Sequence, residues 1–257
     1  MHSLRICWSL VRRALLVCLH EPSLVLSPLF MSGFFLVVYE GQFSALGKDL
    51  ATGPGGYVDV VLPLCLLTTA FTAGAVSGQL LVRDIASGYH ARLVVTPVRR
   101  WLLLSAPVLA ASLVLAVEAL ALLVLAVPLG LRPAHPVAAW CALVSATVVV
   151  GVGILLLAAA AALRFRTPGA VSAVTMVFFP LSFLSAALVP RDRLEGWMAV
   201  AADINPLTYL LQGMRTMVEQ DWSGSALARG GSAAGVLLVV GLATARSALA
   251  HQRRNGA

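Results

Sequence analysis

Long runs of apolar residues, separated by short polar stretches, make up most of the chain from residue 24 onward. A helix needs about 20 mostly apolar residues to cross the hydrocarbon of a bilayer, because each residue advances the helix by about 1.5 Å. This pattern predicts six membrane-spanning helices, of which the first is the shortest. Their approximate limits are residues 24–38, 58–82, 101–129, 137–163, 169–189 and 230–250.

The length of the chain leaves no room beside these spans for a separate soluble domain. It has 257 residues, and 60% of them are hydrophobic, against roughly 45–50% in an ordinary soluble protein. We therefore expect one all-α integral membrane domain over residues 1–257. A catalytic or nucleotide-binding domain is not encoded in it.

Residues 1–22 have the pattern of an amphipathic helix. Arg12 and Arg13 interrupt what would be the apolar core of a signal peptide. Apolar residues at helical spacing share one side, and Arg5 lies largely on another, which indicates a helix in the membrane interface. The alternative is a frayed start of the first span. The apolar side consists of Leu4, Trp8, Val11, Leu15 and Cys18.

Basic residues orient the chain in the membrane. With the N-terminus in the cytoplasm, twelve of the eighteen Lys and Arg residues fall in cytoplasmic segments, as the positive-inside rule requires. Both termini are then cytoplasmic. The net charge of +7 reflects this topology, and we expect no binding of nucleic acid.

Three polar stretches between the spans differ in character. Residues 83–100 are a basic segment on the cytoplasmic side. Residues 39–57 form the first external loop, which Gly and Pro residues should make irregular. Residues 190–229 mix aromatic and acidic residues without completing a span. We expect one or two short re-entrant helices there, dipping into the outer leaflet, rather than a disordered loop.

No pattern in the sequence indicates catalysis or a metal site. The four cysteines have no CxxC spacing, and the chain contains neither HExxH nor GxxxxGK[ST], so it lacks the usual means of binding zinc or ATP phosphates. Glu118 lies well inside the third span, where a carboxyl group is costly. It is either a substrate-path carboxylate or a protonated or hydrogen-bonded group facing another helix. Gln79 and Thr72 either line a path or bond between helices.

Two motifs give the chain its resemblance to a known family. The first lies between the second and third spans and comprises Asp84, Gly88, Arg92, Leu93, Thr96, Pro97 and Arg100. The second is NPLTYLLQGMR, residues 205–215, before the last span. With the six-span plan, they resemble the permease subunits of ABC type-2 exporters. The nearest branch is the daunorubicin-resistance-like permeases of drug and natural-product export.

The resemblance implies a role for each motif. The first includes a cytoplasmic coupling helix that contacts a separate ATPase subunit, on which ATP and magnesium are bound. The family often has acidic residues near the glycine, whereas this chain has Ala86, Tyr89, His90 and Ala91 there. The residues expected to couple to the ATPase are Asp84, Gly88, Tyr89, His90, Arg92, Pro97 and Arg100.

The resemblance also implies a route for the substrate. Two permease copies, in contact with membrane lipid, would carry a hydrophobic small molecule along the first, second and fifth spans of a bacterial cell membrane. Pro180 interrupts the fifth span and would make it flexible. The expected path residues are Glu118, Gln79, Thr72 and Pro180, and the expected external gate is formed by Asn205, Pro206 and Tyr209.

Three other functions fit the same sequence. The same fold also serves export of lipid or polysaccharide precursors. An ion-coupled secondary transporter would use Glu118 as its coupling site, but the chain shows no clear internal repeat. A membrane protein that sequesters a toxic compound without transporting it would differ in needing no ATP.

Overall fold

A computed structural model describes residue 12 and residues 23–50, 56–88, 100–133, 135–185, 187–188, 194–218 and 223–254. Within these residues helices account for all regular structure, and no strand is present. The helices are α1 (Ser23–Leu50), α2 (Tyr57–Ala86), α3 (Arg100–Ala126), α4 (Pro136–Phe165), α5 (Pro168–Met176), α6 (Phe178–Phe183), α7 (Gly196–Ile204), α8 (Pro206–Thr216) and α9 (Gly224–Arg254). The prediction of an all-α membrane protein is confirmed.

Five of the helices contain a stretch long and apolar enough to cross a membrane. These stretches are Val25–Phe43, Tyr57–Ala86, Pro107–Ala126, Pro136–Phe165 and Gly224–His251. The predicted fifth span, residues 169–189, does not form one continuous helix. Helices α5 and α6 share it, and they meet at Val177. The count of six spans therefore stays a prediction.

Pro180 explains why the helix is interrupted close to Val177. Proline has no backbone N–H, so Pro180 cannot bond to the carbonyl of Met176, and its ring crowds that carbonyl. Beyond α6, the N–H of Leu184 bonds to the Pro180 carbonyl at 3.0 Å, and the helix ends there. Residues 185, 187 and 188 are not helical.

Several helix limits differ from those read off the sequence. Helix α1 continues to Leu50, so the prediction of an irregular loop was wrong for residues 39–50. Helix α2 includes Asp84 and ends at Ala86, and α9 begins at Gly224 rather than near residue 230. Segment 190–229 contains two short helices, α7 and α8. The predicted interfacial helix lies outside the described residues, apart from Arg12.

Glycines set the close packing of α2 and α9 against α4. A Cβ atom on Gly74 would lie 2.6 Å from Cγ2 of Ile154. A Cβ atom on Gly241 would lie 2.6 Å from the carbonyl oxygen of Gly153. Further along α2, a Cβ atom on Gly78 would lie 3.1 Å from the Cβ atom of Ala158 in α4. In α9, Leu237 lies at Gly153, and a Cβ atom on Gly241 would lie 3.1 Å from the Cβ atom of Leu156. Later residues of α2 and α9 thus meet later residues of α4, so these three helices run in the same direction.

Helices α1, α5 and α6 run in the opposite direction to α2. Ser32 near the start of α1 accepts a hydrogen bond of 2.8 Å from Thr69 of α2, whereas Phe43, later in α1, packs against Tyr57 at the start of α2, with tilted rings whose centroids are 5.3 Å apart. Val171 of α5 packs at Gly78, and α6 follows toward the start of α2. The bundle therefore has two ends. We call the end with Tyr57, Asn205 and Arg215 the motif end, and the end with Gly88, Arg100 and Arg166 the coupling end.

Candidate functional site

The second motif folds as helix α8 together with its N-terminal cap. Asn205 accepts a hydrogen bond of 3.0 Å from the N–H of Leu207 through its side-chain oxygen, and Pro206 occupies the first helical position. Both residues favour the start of a helix. The asparagine side chain accepts a hydrogen bond from an N–H that lacks a partner within the helix, and proline has no N–H that would need a partner. The Asn205 side chain is only 4% exposed. Its amide nitrogen donates to the carbonyl of Leu181 in α6.

Arg215 stands at the other end of α8 and is buried, with 8% of its surface exposed. Its guanidinium donates from Nε and Nη2 to the carbonyl oxygen of Val60, at 3.1 and 3.0 Å. Nη2 also donates to the carbonyl of Ala187. Because arginine keeps its charge in a protein and presents several donors in a fixed plane, one side chain joins α8, the first turn of α2 and the residues after α6.

Two tyrosines add to the motif end. The hydroxyl of Tyr57, the first residue of α2, donates to the carbonyl of Leu188 at 3.2 Å. The hydroxyl of Tyr209 donates to the carbonyl of Asp203 at 2.7 Å. The bond from Tyr209 connects α8 to α7 across Asn205, so it fixes the angle between the two short helices.

Together these contacts supply partners to main-chain carbonyls at and after the end of α6. The last carbonyls of any helix lack partners within the helix, and non-helical backbone at membrane depth persists only where the protein supplies them. The three acceptors are Leu181, Ala187 and Leu188, and the three donors are Asn205, Arg215 and Tyr57. A cavity of about 180 Å³ lies beside them, lined by Leu64, Ser182, Phe183, Ser185, Ala187, Leu188, Leu194 and Met198.

The first motif lies at the coupling end, where the structure describes part of it. Asp84 is half-buried on the last turns of α2. Gly88 has φ +73°, a backbone conformation that side chains with a Cβ rarely adopt, and its N–H bonds to the Ile85 carbonyl at 3.1 Å. This geometry ends α2. Arg100 begins α3, while Tyr89, His90, Arg92 and Pro97 lie outside the described residues.

The predicted path residues occupy different environments. Glu118 of α3 is 1% exposed, and its Oε2 atom has no hydrogen-bond partner among the described residues. Leu115 and Leu122, one turn to either side of it, belong to the apolar core of the bundle. Gln79 is exposed on α2 and Pro180 is exposed on α6. The hydroxyl of Thr72 is half-buried and bonds within its own helix, to the carbonyls of Thr68 and Thr69.

Sequence reasoning missed the role of two residues at the motif end. Arg215 enters the charge count as one more external cation, and Tyr57 as the last residue of a loop. The available signal was the position of Arg215 within the apolar sequence LLQGMRTMV, because an arginine among apolar residues needs several acceptors when it is buried. Among the described residues, no group of three or more His, Cys, Asp or Glu side chains is placed to hold a metal ion.

Comparison with known proteins assigns this architecture to a family. A sequence model of the family described as "ABC-2 type transporter" matches residues 5–218. The chain is 26% identical to a protein of Porphyra purpurea named "Putative transport permease ycf38", over 84% of this chain and 75% of that protein. A protein of the same name from Cyanophora paradoxa is 24% identical over 80% of this chain and 71% of its own length. The family match covers both motifs in full and ends before α9 begins. The chain therefore belongs to the ABC-2 type transporter family.

Proposed function

We propose that this membrane permease works in an exporter that carries a hydrophobic drug, antibiotic or other natural product out of a bacterial cell. The observation that supports the proposal most is that one helix, α2, connects the two motifs. Gly88 ends α2 at the coupling end, and Arg215 bonds to Val60 in its first turn at the motif end. The 30 residues of α2 extend over about 45 Å. A displacement at the coupling segment is thereby carried to the opposite end.

The energy for such a displacement comes from a separate ABC ATPase subunit, as the family implies. ATP and magnesium belong to that subunit, because this chain has no phosphate-binding loop. Residues Tyr89, His90 and Arg92 would form the surface that the ATPase pushes, with Asp84, Pro97 and Arg100 at its borders. Two permease copies would assemble around a two-fold axis, with the substrate passing between them in contact with lipid.

The packing of α5 and α6 along α2 supports the proposal that the chain crosses the membrane six times. Val171 meets Gly78, and Leu188 accepts a hydrogen bond from Tyr57. The α2 residues between these two contacts rise by about 31 Å, which is close to the thickness of the hydrocarbon core. The interrupted fifth segment thus passes along α2 over a full membrane thickness. Six crossings would leave both termini on one side of the membrane, and the distribution of Lys and Arg supports the cytoplasmic side.

The exposed face of the interrupted segment is the part of the predicted path that suits a hydrophobic substrate best. Pro180 and Phe179 are exposed there, and Phe179 packs edge-on to Phe183 with ring centroids 5.0 Å apart. Gln79 is exposed on α2, and Thr72 lies two turns nearer the motif end. Asn205, Pro206 and Tyr209 would form the external gate. Because Glu118 is buried in the core of one copy, its place on the path depends on a conformational change.

The proposal is tested by uncoupling ATP hydrolysis from export. The variants Arg92→Ala and His90→Ala should insert normally but export substrate several-fold more slowly, while the ATPase subunit keeps its basal activity. Arg132→Ala is a matched control, because Arg132 is exposed in the connection between α3 and α4, at the motif end. Wild-type export in both coupling variants would contradict the coupling assignment. Co-purification of an ATPase subunit with the permease tests the partner directly.

Glu118 supports one other function, ion-coupled secondary transport. A buried carboxyl oxygen with no described partner is the kind of group that binds a coupling proton or ion in transporters. The two functions differ in their energy source. Export that stops on ATP depletion and survives collapse of the proton and sodium gradients identifies the ATP-driven exporter, and the reverse pattern identifies the secondary transporter.

A further inference from the structure

Helix α8 has a side chain at each of its ends that binds a main-chain carbonyl of the fifth segment. Asn205, at its start, donates to Leu181. Arg215, about 15 Å further along the helix axis, donates to Ala187. The order is the same in both segments, so α8 lies alongside the end of α6 and the residues after it, and runs in the same direction.

The stretch held in this way lies largely beyond the last hydrogen-bonded turn of α6. Helix α6 ends at Phe183, and Ser185, Ala187 and Leu188 are non-helical. The Ser185 hydroxyl donates to the nearby Ser182 carbonyl at 2.6 Å. The longer connections of this stretch run to α8 through Asn205 and Arg215, and to α2 through Tyr57.

We propose that Asn205 and Arg215 are positioning residues for the export step, which hold Ser185, Ala187 and Leu188 against α2 and so keep the motif end closed until α2 moves. The inference rests on the proposed function for its timing but not for its geometry. Arg215 bonds to α2 and to Ala187 at once, so a movement of α2 at Val60 changes the support of Ala187 directly. The Asn205 side chain bonds to Leu181 of α6 and to Leu207 of α8, and it serves as the fixed end.

The test uses a thiol as a reporter of closure. Ser185 is buried, and Ser185→Cys is nearly isosteric. The full-length permease carries this change in a background with its four native cysteines replaced, and is reconstituted into lipid nanodiscs. A polar maleimide should label the parent slowly. Arg215→Met should raise the labelling rate by about tenfold or more, since loss of these bonds favours local opening, and Arg215→Lys should restore it in part.

Two further variants separate positioning from general stability. Asn205→Ser keeps a side chain that caps α8 but removes the amide that donates to Leu181, so labelling should rise while the melting temperature changes little. Arg229→Met is the matched control, because Arg229 is exposed and its guanidinium, among the residues that the structure describes, bonds within α9, to the Ser225 carbonyl at 3.3 Å. Labelling of Arg215→Met at the parent rate, or an equal rise in Arg229→Met, would overturn the inference.

The timing is tested with the ATPase subunit present. The parent should label faster in the vanadate-trapped state than without nucleotide, whereas Arg215→Met should label fast in both. A parent that responds to nucleotide and an Arg215→Met variant that responds to the same degree would contradict the role of Arg215 in closure. If no form responds to nucleotide while Arg215→Met stays fast in the isolated permease, the positioning role stands and the ATP-driven function fails.

Discussion

Gly241 of α9 lies against the backbone of Gly153 in α4, so that a Cβ atom at position 241 would stand 2.6 Å from the Gly153 carbonyl oxygen. Backbone cannot rotate away as a flexible side chain can, and the contact therefore requires glycine. Small residues that let helix backbones approach closely are a common basis of helix association in membranes.

We expect Gly241→Ala to lower the free energy of unfolding by about 1–3 kcal/mol, because the added methyl group forces α9 away from α4. Gly235→Ala, on the same helix, is the control. An added Cβ there meets nothing within 4 Å, so its effect should stay within about 1 kcal/mol and favour the helix. Thermal unfolding in detergent or nanodiscs measures both, and equal melting temperatures would show that the α4–α9 contact is looser than described.

Loss of the Arg215 hydrogen bonds should lower the thermal stability of the protein as well as increase local opening. Arg215→Met keeps most of the side-chain volume but leaves the Ala187 carbonyl without its donor, which costs about 1–3 kcal/mol for a buried group. The melting temperature should fall clearly below that of Arg229→Met, in which a solvent-exposed arginine is lost. Arg215→Met and Arg229→Met with the same melting temperature would mean that the Ala187 carbonyl finds another partner.

Replacing Pro180 should restore a continuous fifth helix. In Pro180→Ala the new N–H can bond to the Met176 carbonyl, and proline in a helix interior is about 3 kcal/mol less favourable than alanine. We expect higher thermal stability and export reduced several-fold, because the segment loses its flexible point. Pro107→Ala is the control, since Pro107 lies inside α3 without interrupting it. Export that is unchanged by Pro180→Ala would rule out Pro180 as a required hinge.

Substitutions of Glu118 distinguish a role in packing from a role in transport. Glu118→Leu removes a buried oxygen that has no described partner. The free energy of unfolding should therefore rise by about 1–3 kcal/mol. Glu118→Gln keeps the shape and should retain export of an uncharged substrate. Export and the melting temperature are measured on the same preparations. Loss of export in Glu118→Gln at normal stability would instead place the carboxyl group on the path.

The sequence predicted the parts of this fold that depend on continuous apolar length. The second, fourth and last spans appear as α2, α4 and α9, and the two motifs fall at opposite ends of α2. Hydropathy did not predict the helix over residues 39–50, because this stretch continues α1 beyond the apolar run. Hydropathy also did not predict the interruption at Val177, which depends on a missing hydrogen bond rather than on polarity; the position of Pro180 in the sequence did predict an interrupted fifth span.

The site was predictable only in part, for a related reason. The cap formed by Asn205 and Pro206 follows from local preferences, and the structure shows it. The role of Arg215 depends on carbonyls far away in the sequence, at Val60 and Ala187. Every residue has a main-chain carbonyl, so the residue type at a position does not indicate whether its carbonyl will accept the hydrogen bond.

Because the acceptors at the motif end are main-chain carbonyls, the side chains of the same residues are free to vary between related permeases. Leu181 and Leu188 are half-buried, and each takes part in the support of the motif end through its main chain. Their side chains can change in size and shape while Asn205 and Tyr57 still find the same oxygen atoms. The lining of the cavity beside Leu188 can therefore change to suit a different cargo while the hydrogen bonds that hold the motif end closed are kept.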